Sequence, residues 1–246
     1  MTKKHLSHSL FTLLLLSFSF CKAQVNYQPG FAILKDGTRV SGLIYLNENA
    51  PWSNQRYIFL KDSAALASNP DVKAKKYKAD ELKYYKVGSR EFDKVHYVDM
   101  ANLQLKSMGT NDHMLERLAY GRIKAHRFYS YKADTEGYIG TEEEIAAKQE
   151  EKKNDLLTGY KILTQKDNEN KLHDAFEYDL QKYFEDTPEV AQKYQSGAYG
   201  NQPVVAKKGL AARMIAMAKK AAFKPEEANA IIAAINDYNN KNTEKN

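Results

Sequence analysis

The chain has 246 residues, a formal charge of +6 from 37 Lys and Arg against 31 Asp and Glu, and a single cysteine. One cysteine excludes an internal disulfide and a multi-thiolate zinc site, so stability must come from hydrophobic burial, for which this length suffices. No Gly-x-Ser-x-Gly elbow, phosphate-cradling glycine loop or dinucleotide fingerprint occurs, so the common motifs of hydrolases and nucleotide enzymes are missing.

Lys3, Lys4 and His5 precede an uncharged apolar run from Leu10 to Phe20. That layout predicts a secretory signal peptide, because a membrane span needs about 20 apolar residues. Cys21, Lys22 and Ala23 put small residues one and three positions before a cut at Gln24, so residues 1–23 are expected to be removed. The protein is then exported, periplasmic or secreted. The competing expectation is a lipid anchor on Cys21, against which the bulky Phe20 argues. Cleavage at Gln24 leaves no thiol, which also excludes a cysteine nucleophile.

The next segment, 24–140, reads as a β-rich module. Phe31 to Lys35 and Thr38 to Leu46 are strand-like runs joined by Asp36-Gly37, a pair that suits a tight hairpin turn. Alternation puts Val40, Ile44 and Leu46 on one face and Arg39, Ser41 and Tyr45 on the other. Further strands are expected at Arg56 to Leu60, Lys75 to Lys78, Tyr84 to Val87, Glu91 to Val98 and Ile123 to Tyr131, with a second hairpin turn at Gly88-Ser89. Ser63 to Val72 reads as a loop with one helical turn. Short strands at this spacing predict a small antiparallel β-barrel or a curved sheet.

From residue 141 the composition turns helical, giving an α+β chain with a mainly helical region over 141–246. Thr141 and Glu144 form a capping box that opens a charged connector helix over 141–156. Tyr160 to Thr164 reads as a returning strand before a turn at Asp167 to Asn170. Phe176, Leu180, Tyr183 and Phe184 recur at helical spacing, Thr187-Pro188 restarts a helix, and Gly197 ends it. Pro225 with Glu226 and Glu227 opens a last helix on which Ala228, Ile231, Ile232, Ile235 and Tyr238 share a face.

Lys3, Lys4 and Lys22 carry half of the six excess positive charges, so the chain from Gln24 onward carries +3. The remaining basic character is concentrated in Lys207, Lys208, Arg213, Lys219, Lys220 and Lys224, a stretch without acids. With Leu210, Met214, Met217 and Ala221 it forms an amphipathic helix able to rest on anionic lipid headgroups, or to dock on its own domain with a solvated basic face. Export argues against nucleic acid as a partner of this basic patch.

Residues 30–37 (Gly-Phe-Ala-Ile-Leu-Lys-Asp-Gly), 40–44 (Val-Ser-Gly-Leu-Ile), 77–82 (Tyr-Lys-Ala-Asp-Glu-Leu), 85–88 (Tyr-Lys-Val-Gly) and Phe92 form one set of blocks. A second set is Met114-Leu-Glu-Arg-Leu118, Gly121 and Phe128-Tyr129, and a third is Leu180, Tyr183-Phe184, Asp186, Pro188 and Tyr238-Asn239. On these the chain resembles a group of exported Bacteroidota proteins of uncharacterised function. The resemblance implies a glycine-punctuated, β-rich amino-terminal module with a helical carboxy-terminal part, joined in some relatives to an outer-membrane barrel. No run of alternating barrel-type strands follows Asp186 here, and the group supplies no catalytic residues to transfer.

Chemistry-bearing clusters are sparse. Asp112, His113 and Glu116, joined by His96 and Asp99 from a neighbouring strand, are the nearest to a catalytic constellation, with a polar strand edge as the alternative. No histidines share a face at ligand spacing, so no metal or other cofactor is expected. Asp167 to Asn170 lacks the glycine and closing glutamate of a calcium loop, and Glu142 to Glu144 fit a helix amino terminus. Tyr84, Tyr85, Tyr97, Tyr129 and Tyr131 lie on expected strands and suit contacts with a protein or glycan.

The expected function is a noncatalytic envelope module that binds a protein or a surface polymer. The alternatives are an envelope hydrolase using Asp112, His113 and Glu116, and peripheral membrane binding by the basic helix. Mass measurement of the mature amino terminus is expected to give a chain beginning at Gln24; an acylated Cys21 is the contrary outcome.

Overall fold

A computed structural model describes residues 27–99, 111–130, 139–204 and 225–243. The signal segment, Tyr131 and the basic stretch from Lys207 to Lys224 lie outside the described residues.

Among the described residues, ten strands form one antiparallel sheet: β1 (Tyr27–Leu34), β2 (Arg39–Tyr45), β3 (Tyr57–Asp62), β4 (Lys75–Lys78), β5 (Leu82–Val87), β6 (Arg90–His96), β7 (Asp112–Ala119), β8 (Ile123–Phe128), β9 (Lys161–Lys166) and β10 (His173–Asp174). The order across the sheet is β10-β9-β8-β7-β6-β5-β1-β2-β3-β4. It is curved and not closed into a barrel. Helices α1 (Pro51–Asn54), α2 (Ser63–Ser68), α3 (Glu142–Thr158), α4 (Gln181–Phe184), α5 (Pro188–Ser196) and α6 (Pro225–Lys241) complete the described elements, with a 3₁₀ turn at Ala79–Glu81.

Local chemistry accounts for the turns. The β1–β2 connection is a three-residue loop in which Gly37 takes the left-handed conformation (φ 91°), not the expected two-residue turn. Asp167 and Asn168 both have positive φ, 49° and 59°, and the Glu169 N–H donates to the Lys166 carbonyl, which makes the β9–β10 turn type I′. The Thr141 and Glu144 side chains cap α3 reciprocally, and no residue of that helix is buried.

The curvature has a source in β1 and β2. Gly30 and Gly42 stand directly opposite each other. A Cβ on Gly30 would lie 2.2 Å from the Lys86 carbonyl oxygen, and one on Gly42 would lie 1.9 Å from that of Lys61. Only glycine lets the neighbouring backbones approach this closely, and the sheet coils around the pair. The coiling brings the chain before β3 back toward β7, where the Met114 N–H donates to the Gln55 carbonyl at 2.9 Å.

The concave face holds two cores. Ala32, Ile44, Leu46, Ile58, Leu60, Tyr77, Leu82, Tyr85, Val87, Phe92 and Met114 fill the half-barrel of β1–β7. Ile123, Ala125 and Ile162 meet Phe184, Val190, Tyr194, Ile231, Ala234, Ile235 and Tyr238 from the helices. A smaller cluster, Leu115, Phe128 and Leu163, lies on the opposite face.

Strand β7 was not among the expected strands. Its Met114 and Leu115 are both fully buried although they point to opposite faces, so the alternation that marks a half-buried strand is absent. The expected strand over Ile123 to Tyr131 ends at Phe128, and α1 and β10 are additions to the expected elements.

Buried side-chain amides complete the backbone pairing where strands run out. Asn239 of α6 accepts from the Ile123 N–H at 2.9 Å and donates to the Ile123 carbonyl at 2.7 Å. Gln55 does the same for Tyr129, at 2.7 and 3.0 Å, just past the end of β8. Asn54 holds Asn47 in the same two-point way. Replacing Asn239 with Leu leaves two buried backbone groups unpaired, each worth roughly 1–3 kcal/mol. Chemical denaturation is therefore expected to show a loss of about 2–4 kcal/mol for Asn239→Leu, and a change within about 0.5 kcal/mol for Asn240→Leu at the exposed neighbouring position.

Candidate binding surface

Asp112, His113 and Glu116 all lie on β7, but they do not converge. Alternation sends Asp112 and Glu116 to one face and His113 to the other. Asp112 pairs with His96 Nδ1 at 2.9 Å and with Lys94 at 3.5 Å. His113 is buried against Phe128, with Nε2 3.2 Å from the Tyr97 carbonyl oxygen, and burial lowers its pKa. Glu116 is clasped by Arg90, at 2.8 and 3.0 Å, and by Arg127 at 3.0 Å. Both of its oxygens are occupied by guanidinium donors, an arrangement that ties β6, β7 and β8 together. Asp99 accepts from Lys161 and Ser130. Among the described residues, no group of three His, Cys, Asp or Glu side chains is placed to hold a metal ion.

The expected tyrosines also separate. Tyr84 and Tyr85 are adjacent in β5 and so face opposite ways. Tyr85 is fully buried, stacked on Phe92 at 4.2 Å, and its hydroxyl donates to the Asn54 carbonyl. Tyr97 packs on Phe128 beside Lys161, and Tyr129 packs on Tyr160. Only Tyr84 lies on the convex face of β1–β5. Tyr131 and the candidate membrane-surface residues Lys207, Lys208, Arg213, Lys219, Lys220 and Lys224 lie outside the described residues.

Tyr84 does have aromatic company there. The fully buried positions of β1, β2 and β3 are all even, Ala32, Gly42, Ile44, Ile58 and Leu60, so the odd positions face out: Tyr27, Phe31, Tyr45, Tyr57 and Phe59, all half-buried. The registers align them in rows across the strands. Tyr27 opposes Tyr45, Tyr45 opposes Phe59, and Phe59 opposes Lys76 of β4. A second row runs Arg39, Ile33, Tyr84, Asp93. Ring centroids lie 5.5 Å apart for Tyr27 and Tyr45, 5.8 Å for Phe31 and Tyr84, and 5.5 Å for Tyr57 and Phe59.

Cations lie over these rings. The Arg39 guanidinium is 3.6 Å from the Phe31 centroid, Lys76 Nζ is 3.8 Å from that of Tyr57, and Lys61 Nζ is 5.2 Å from that of Tyr27. The ring quadrupole attracts each charge and holds it over the sheet. Arg39, Lys61 and Lys76 make no ion pair among the described residues, and no outward position of β1–β4 is acidic.

Beyond Tyr84 the same face becomes a charge lattice. Lys86 pairs with Glu91 at 3.1 Å, Arg117 bridges Glu91 and Asp93, and His126 Nε2 lies 2.9 Å from Asp93. Burial works against ionisation of Asp93, but hydrogen bonds from His126 and Arg117 outweigh it and hold its pKa at about 2. Burial, reinforced by Glu91, pushes the Tyr84 hydroxyl up to about 12.

No protein-family model matches the chain, and no curated protein or solved structure shows significant similarity to it. The missed members of the surface, Tyr27, Phe31, Tyr45, Tyr57 and Phe59, carried a signal in the period-two pattern, since each lies two or four residues from another outward position in β1–β3.

Because the Asp93 pKa is depressed in the folded state, its stabilisation is fully present above the unfolded value of 3.8 and is lost as pH falls toward about 2. Acid titration followed by circular dichroism is expected to show that Asp93→Asn flattens the stability change in this window. An unchanged acid limb would show that the Arg117 and His126 contacts do not hold the carboxylate.

Proposed function

We propose that the protein is an exported, noncatalytic module of the cell envelope that binds a protein or surface polymer through the convex face of β1–β5. The observation that carries this is the cross-strand array of Tyr27, Tyr45, Phe59, Phe31 and Tyr84, interleaved with Arg39, Lys61 and Lys76. Rigid, half-buried aromatic side chains offer contact area at low entropic cost. The noncatalytic reading is supported by the divergence of Asp112, His113 and Glu116 into separate pairings.

Crosslinking in intact envelopes tests the proposal. The native protein is expected to crosslink a specific envelope component, and the double variant Phe31→Glu/Tyr45→Glu to lose it while keeping its native circular dichroism. Retention of the component by a folded double variant would refute the assignment of this face.

A further inference from the structure

The outward face of β1–β4 differs from an ordinary half-buried sheet surface in the sign of its charge. Its ionisable groups other than tyrosine are Arg39, Lys61, Lys76 and Lys78, with no carboxylate among them. The nearest acids in the rows of this face are Glu91 and Asp93 on β6, three strands beyond β2 and already bonded to Lys86, Arg117 and His126. A surface that places cations without partners costs stability through self-repulsion unless something complements them. Three of these cations, Arg39, Lys61 and Lys76, are also localised over rings, so little of their side-chain freedom remains to be lost on binding an anion.

Resting on the proposed binding face, we infer that its ligand is an anionic polysaccharide lying across the strands. Three features select that class. One row of rings runs perpendicular to the strands, with about 4.8 Å between strands, so an extended chain crossing β1–β4 along it meets a ring or a cation at every strand. Along one such path the order is Tyr27, Tyr45, Phe59, Lys76, three rings followed by a charge. The apolar C–H face of a pyranose packs on an aromatic ring, and its carboxylate or sulfate substituents find Arg39, Lys61 and Lys76. An extended peptide is less suited, because strand addition uses backbone groups at a sheet edge. A lipid surface is also less suited, because the rings are half-buried between the cations and do not protrude as an inserting apolar face.

The test uses the purified exported protein with polygalacturonate as the acidic probe and dextran as the neutral one. Polygalacturonate is expected to bind and to dissociate at about 1 M salt, where the screening length is about 3 Å, whereas dextran does not bind measurably. The triple variant Arg39→Gln/Lys61→Gln/Lys76→Gln is expected to bind at least tenfold more weakly. Tyr45→Ala should also weaken binding, which pure charge attraction does not predict. Lys148→Gln/Lys171→Gln, away from the face, should bind like the native protein. Equal binding by the triple variant overturns the inference, since the attraction then lies elsewhere. Binding only to vesicles of anionic phosphatidylglycerol overturns it in favour of a membrane. Failure to bind polygalacturonate, while the Phe31/Tyr45 variant still loses its crosslinked component, overturns the polysaccharide and leaves the binding face standing. Failure of both overturns the two together.

Discussion

Every buried backbone N–H and C=O needs a partner, and β8 meets that need with help from residues far from it in sequence on both sides. Asn239 pairs with Ile123 at the start of the strand, and Gln55 pairs with Tyr129 just past its end. Each amide presents one acceptor and one donor in the geometry of a neighbouring strand. The effect is to fasten the half-barrel and the carboxy-terminal helix to a single strand. The two hydrophobic cores are thus positioned by polar contacts as much as by their own packing.

Within the half-barrel, the pairing of Gly30 with Gly42 sets the other large feature. It removes side chains from the concave face where the backbones come closest, and the resulting coil encloses Ile44, Ile58, Leu60 and Tyr85. What is concave on one side is convex on the other. The outward residues of β1–β3 are therefore displayed on a bowed surface, with each ring supported by a cross-strand neighbour. The charge lattice of Lys86, Glu91, Asp93, Arg117 and His126 borders that surface and stiffens the middle of the sheet.

Much of this was legible in the residues themselves. Asp36-Gly37 marked the place though not the type of its turn, Gly88-Ser89 and the Thr141 capping box announced their turn and helix start, and the expected face of α6 is buried at Ala228, Ile231, Ile235 and Tyr238, with Ile232 half-buried. β7 was hidden because Met114 and Leu115 are buried on opposite faces, which erases the period-two pattern. Residue type alone does not group the tyrosines correctly, because alternation separates Tyr84 from Tyr85 and joins Tyr84 to Phe31. The amide pairings link positions 74 and 116 residues apart, and no local pattern encodes contacts at that range. For the same reason the clasp on Glu116 by Arg90 and Arg127, and the dispersal of the Asp112, His113 and Glu116 set, emerged only from the strand registers.

The position of Asn239 near the carboxy terminus bears on the order in which the molecule is made. A chain emerging amino terminus first from a ribosome can pair β1 with β2 as soon as about twenty residues of the module are free. It cannot satisfy the backbone of Ile123 until residue 239 has followed, more than a hundred residues later. Loop closure over that distance is slow compared with local hairpin formation. The half-barrel thus has time to form first, and the start of β8 stays incompletely paired until α6 docks on it.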